Sequence, residues 1–288
     1  EAQHRAQEPK PKKKGVLWLA IGIPVLVAAL AVLFFLVFLP MIKYSNAQSL
    51  FDDGKYAEAM EAFSALEDYS DAPAMVDESK YQAAKDSIKN ADFDTAISYL
   101  EELGDYSDSE DLLLEAKYGK GKQLIETGGY DEAMAIFTAL GDYEDSPTMI
   151  LEAQYQKGLS LIKSKSYDEA ISIFTSLGDY SDSVTMISEA HYQQGLDQLA
   201  GGQYDEAIAT FDALGEYNDS TTQASEARYQ KGTGMLSTAQ STADYMAIMQ
   251  VLYPAYDYKD TKDLVMQCAK FLSSKYIAAG GFHSVALM

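Results

Sequence analysis

Sulfur and imidazole chemistry are nearly absent from this 288-residue chain. Cys268 is the single cysteine, which excludes an intrachain disulfide or a thiolate cluster. Its expected role is core packing on the last helix. The three histidines, His4, His191 and His283, lie far apart, and no two have metal-ligand spacing. No Walker loop, dinucleotide glycine fingerprint or nucleophile elbow is present. No cofactor and no enzymatic activity are therefore expected. Basic charge is scarce as well: 22 Lys and Arg stand against 44 Asp and Glu. Residues 1–14 hold five of the basic and two of the acidic residues, so the rest holds, by difference, 17 basic and 42 acidic, a net −25. Such a surface repels nucleic acid and favours protein partners of basic or mixed charge.

What the chain has is a period. A tyrosine-aspartate signature reads Tyr69-Ser-Asp71, Tyr106-Ser-Asp108, Tyr143-Glu-Asp145, Tyr180-Ser-Asp182 and Tyr217-Asn-Asp219, each 37 residues after the last. Other columns keep the same step. Tyr44, Tyr81, Tyr118, Tyr155, Tyr192 and Tyr229 form one, and Ala47, Ala84, Gly121, Gly158, Gly195 and Gly232 another. The fourth unit continues through Tyr167, Ala170, Phe174 and Leu177, with equivalents in its neighbours. Offsets of three and four place Ala, Phe and Leu on one helical face. A fixed period of this length means stacked supersecondary units. In the fourth unit the expected helices are Ser146–Lys163 and Tyr167–Leu177, the second ended by Gly178 in a left-handed backbone. A sixth, degenerate unit carries Tyr258-Lys-Asp260, 41 residues after Tyr217, with the insertion expected in 237–244. Tyr245, Ile248 and Leu252 take its second-helix columns, and Pro254 cuts that helix short.

The Asp-Tyr-x-Asp segment also invites a calcium reading. Asp179, Asp182 and Ser183 offer too few oxygens for that ion. The expected roles are helix capping by Asp182 or Ser183, with Tyr180 packed between units.

Gly158, Ala170 twelve residues on, Phe174 four further and the aromatic Tyr167 resemble the tetratricopeptide repeat over about residues 43–262. The period of 37 in place of 34 and the inserted Asp-Tyr-x-Asp segment depart from that family. The resemblance implies an all-α, right-handed α-α solenoid of five to six helix pairs, and binding of proteins or peptides. It places the tyrosine column on the concave face. The candidate groove is Tyr118, Lys122, Tyr155, Leu159, Tyr192, Leu196 and Tyr229. The alternative for these tyrosines is packing between consecutive long helices. Positions four after the column read Gln48, Lys85, Lys122, Leu159, Leu196 and Thr233, a varied set that favours binding.

Val16–Ile42 is 27 residues long and uncharged. About 20 apolar residues cross a bilayer as a helix, and a cleaved signal peptide needs a shorter core and a small-x-small site. Lys10, Lys12, Lys13 and Lys14 precede the run, so the expected topology is a cytoplasmic N-terminus with the repeats outside. The expected organisation is a basic tail (1–15), a transmembrane helix (16–42), the repeats (43–262), a terminal helix (263–275) and an extended end (276–288).

That end, Ile277-Ala-Ala-Gly280-Gly281-Phe-His283-Ser284-Val-Ala-Leu287, resembles the opening of a blade of the regulator-of-chromosome-condensation repeat family, which forms beta-propellers. The alternative is a Gly-Gly turn beginning a seventh unit. The chain stops within this motif and does not begin with methionine, which predicts a piece of a longer protein. Two function classes remain: a membrane-anchored extracytoplasmic scaffold that binds proteins or peptides, or a rigid stalk presenting a distal domain. The sequence leaves the oligomeric state and the partner open.

Overall fold

The computed structural model describes residues 14–279, with side chains described for 22–275. All regular elements among them are helical. The chain divides into two compact units between Gln123 and Leu124.

In the first unit, α1 (Lys14–Leu33), a π-helical turn (Phe34–Phe38) and α2 (Leu39–Asp52) form one continuous helix. The π turn has a local cause. Pro40 has no amide hydrogen to give the carbonyl of Leu36, and its ring crowds that group. Widening the turn before it relieves the crowding, and the Leu39 amide reaches back to the Phe34 carbonyl. The helix passes the expected boundary at Ile42 without a break, because the first glycine after Gly22 is Gly54. Gly22–Asp52 is long and apolar enough to cross a membrane by length and composition. Its apolar side chains lie bare, Leu36 at 71% exposure. α3 (Tyr56–Ser64), α4 (Ala72–Lys89) and α5 (Phe93–Leu103) follow, each packed on the helix before it. α6 (Ser109–Thr127) contains the boundary between the units, and its N-terminal half packs on α4 and α5 through Leu112, Leu113 and Ala116.

The second unit runs through α7 (Tyr130–Leu140), α8 (Ser146–Lys163), α9 (Tyr167–Leu177), α10 (Ser183–Ala200) and α11 (Tyr204–Leu214). α12 (Ser220–Leu236), α13 (Thr242–Leu252) and α14 (Thr261–Ala279) complete it. Successive helices from α7 to α14 pack pairwise, and α10 also touches α8 and α12. The result in each unit is a series of stacked helix pairs, all-α as the period requires. The expected bounds of α8 and α9 are met at both ends.

The core follows the columns. Ala59, Ala96, Ala133, Ala170 and Ala207 are fully buried, as are Phe63, Phe137, Phe174 and Phe211. The small column exists because the rings need its space. A Cβ on Gly158 would lie 2.6 Å from Phe174 Cζ, and one on Gly195 would lie 2.8 Å from the Phe211 ring. Degenerate α13 keeps the pattern with Ile248 and Leu252 buried, after a capping box of Ser241 and Asp244. A short 3-10 turn at Tyr253–Ala255, containing Pro254, ends it. Cys268 is buried beside Ile248, Leu252 and Val265, and that burial pushes its thiol pKa up.

Gly178 ends α9 with a positive φ of 58°, as expected. One expectation needs correction. The terminal helix, expected over 263–275, starts at Thr261 and reaches Ala279. Thr261 occupies the helix-opening position of Ser183 and Ser220. At the other end Ala278 and Ala279 favour helix, and the first breaker is Gly280. Residues 276–279 are therefore helical and not extended. The Gly280–Leu287 part of the blade-like motif lies outside the described residues.

Candidate protein-binding surface

The tyrosine-aspartate signature forms a turn between each second helix and the next long helix. Its middle residue is left-handed every time: Ser70, Ser107, Glu144, Ser181, Asn218 and Lys259 have φ between 47° and 56°. Non-glycine residues rarely adopt this conformation. Here it turns the tyrosine and the aspartate toward the preceding long helix.

There they meet two partners. Tyr155 on α8 donates its hydroxyl to Asp182 at 2.5 Å, and Tyr180 donates to Glu152 on α8 at 2.8 Å. The two rings meet edge to face at 6.2 Å, and Tyr155 also packs against Phe174. Tyr192 with Asp219 and Tyr217 with Glu189 repeat the crossed pair. So do Tyr81 with Asp108 and Tyr106 with Glu78. Gln156 and Gln193 hold the glutamates from the next helical turn. Each such junction is thus a crossed clamp of two phenols and two carboxylates.

The clamp corrects the capping expectation. Asp182 stands at the N-cap of α10, yet its side chain makes no cap hydrogen bond. At φ −108° and ψ 28° it lacks the extended backbone of a capping residue, and its carboxylate accepts from Tyr155 instead. Ser183 is buried and donates back to the Tyr180 carbonyl at 2.6 Å. The acidic acceptors on the long helices were missed by sequence reasoning. Their signal was available as a further column: Glu78, Glu115, Glu152, Glu189 and Glu226.

The candidate groove residues fall into these junctions. Tyr155 and Leu159 pack with Phe174, and Tyr192 and Leu196 pack with Phe211 and Ala207. The Asp260 carboxylate raises the Tyr229 pKa, and Lys259 lies over the Tyr229 ring at 4.9 Å. Lys122 is exposed and lies over the half-buried Tyr118 ring at 5.5 Å. The tyrosines thus keep one face on intrachain partners and remain half-exposed. Among the described residues, no group of three or more His, Cys, Asp or Glu is placed to hold a metal ion.

Electrostatics mark the clamps. Burial and the bond to Glu152 push Tyr180 up to about 12, and the same pair of causes acts on Tyr217 with Glu189. The bond to Asp219, then burial, pushes Tyr192 to about 12, and its partner Asp219 is held low. These phenols have raised folded pKa values. Their contribution is whole below the unfolded value of about 10 and is lost as pH rises toward 12. A phenolate absorbance titration should therefore show an ordinary class of tyrosines near pH 10 and a delayed class accompanied by loss of helix. A single ordinary class with no change in helix content would refute the clamps.

A family model described as tetratricopeptide repeat matches residues 189–220. That stretch holds Glu189, Tyr192, Gly195, Phe211, Tyr217 and Asp219, so it spans one clamp and the helix pair inside it. There the chain is similar to a family whose repeats generally mediate protein binding and are typically non-catalytic. No curated protein matches the chain.

Proposed function

We propose that this protein is a membrane-anchored scaffold that binds proteins or peptides through its helical repeats on the extracytoplasmic side. One observation carries the reading: a bare apolar helix runs without a linker into the first of a series of stacked helix pairs. Lipid is the environment that such a side-chain surface fits. The basic residues before it favour a cytoplasmic N-terminus. The candidate surface would be Tyr118 with Lys122 in the first unit, and the half-exposed Tyr155 and Tyr192 with Leu159 and Leu196 in the second. The acidic balance favours partners of basic or mixed charge. A second reading, a stiff spacer, is supported by the near-identical clamps, which repeat one rigid junction.

Protease added to intact cells should degrade the repeats and spare the tail before the apolar helix. In the same cells, Lys122→Glu should lower the yield of proteins crosslinked to the repeats. Digestion of the tail alone overturns the topology, and an unchanged crosslinking yield favours the spacer.

A further inference from the structure

Within the first unit, an open cavity of about 280 Å³ lies between the start of α3, the C-terminal half of α4 and α5. Its origin is legible by comparison with the equivalent place three periods later. In the second unit, Lys165 reaches Asp197 at 2.8 Å and Tyr167 donates to the same carboxylate at 2.7 Å. Gln194 bonds to Asp168, and Gln198 accepts from Thr210. Three of these long side chains are missing in the first unit. Gly54 stands for Lys165, Ala83 for Gln194 and Ser87 for Gln198. The acceptor is kept, because Asp86 stands for Asp197, and so is the phenol, because Tyr56 stands for Tyr167.

The cavity is therefore the second unit's lysine-carboxylate site with its ammonium removed. Among the described residues, Asp86 is paired only with Lys89 of its own helix, at 3.0 Å. Tyr56 packs on Phe51 at 5.3 Å and makes no hydrogen bond to Asp86. Tyr99 replaces Thr210 and adds a second aromatic ring to the lining, and Glu58 a second carboxylate. Lys55 on the rim lies 3.9 Å from Asp53. Two phenol rings beside two carboxylates favour a cation, through charge and through the ring faces. The cavity has room for one long side chain.

We infer that this cavity receives a lysine or arginine side chain of a partner protein, held by Asp86 where the second unit uses its own Lys165. The inference rests on the scaffold reading and names the chemistry of the partner. The chain also supplies the means to close the site. Gly54 has φ 76°, a Cβ there meets nothing within 4 Å, and Lys165 itself adopts φ 64°. A lysine at 54 can therefore take the conformation seen at 165.

The test uses the full chain in detergent micelles. The probe is a labelled, capped alanine-serine peptide with one central lysine. The control has norleucine in its place. The lysine peptide should bind at least about ten-fold more tightly than the control, a difference of about 1.4 kcal/mol. Gly54→Lys, without loss of melting temperature, and Asp86→Asn should each abolish that preference. Equal binding of the two peptides, no binding of the lysine peptide, or a preference that survives Gly54→Lys overturns the inference. The scaffold reading stands or falls separately, on crosslinking in cells.

Discussion

Phe174→Ala should destabilise the second unit by about 3–5 kcal/mol, the usual cost of emptying a fully buried aromatic site. Phe174 has no exposed surface, and it packs edge to face on Tyr155 of α8. The cluster it forms with Ala170 and Leu177 is covered by Leu159 of α8 and by Met186 and Ile187 of α10. Alanine cannot fill that space, and helix pairs on both sides prevent its collapse. Chemical denaturation of the full chain in micelles, followed by circular dichroism, measures the loss. A cost below about 0.5 kcal/mol, the range of ordinary surface changes, would show that the ring is not the central side chain of its pair.

Gly158→Leu should be nearly as damaging, for the opposite reason. Its Cβ alone would stand 2.6 Å from Phe174 Cζ, and three further carbons have no space. Overpacking of this kind costs about 1–3 kcal/mol, and the tight crossing favours the upper end. The two positions share one volume, so their effects should not add. In the double variant, the leucine at 158 enters the space left by the ring, and the loss should be smaller than the sum of the single losses. Full additivity would mean that Gly158 and Phe174 do not face each other.

The helices were legible because their determinants are local and repeated. Ala170, Phe174 and Leu177 mark a buried face by spacing alone, and Gly178 marks its end. The clamps were not legible, because their bonds join residues 27 or 28 apart in different helices. Asp182 before a helix looks like a cap, and only the left-handed turn at Ser181 shows that its carboxylate is aimed elsewhere. Nothing in a serine announces φ 53°. The groove tyrosines were readable as a repeating surface, but not as donors already engaged within the chain. The expected boundary at Ile42 marks a change of hydropathy and not the end of a helix. Hydropathy drops at Lys43, while helical backbone continues to Asp52 because no breaker intervenes. Leucine, glutamine and alanine in that segment all favour helix.

The uninterrupted helix from Lys14 to Asp52 also fixes an azimuth. Tyr44 on α2 meets Phe63 of α3 at 5.4 Å, so α3 lies on one definite side of the helix axis. Which side that is, relative to the bare apolar faces below, depends only on the number of residues between them. One residue inserted after Ile42 would swing α3 by about 100° around the axis, and seven would return it to within about 20°. The chain has no swivel at which such a phase error could relax, so the direction in which the first repeat points is counted out in residues.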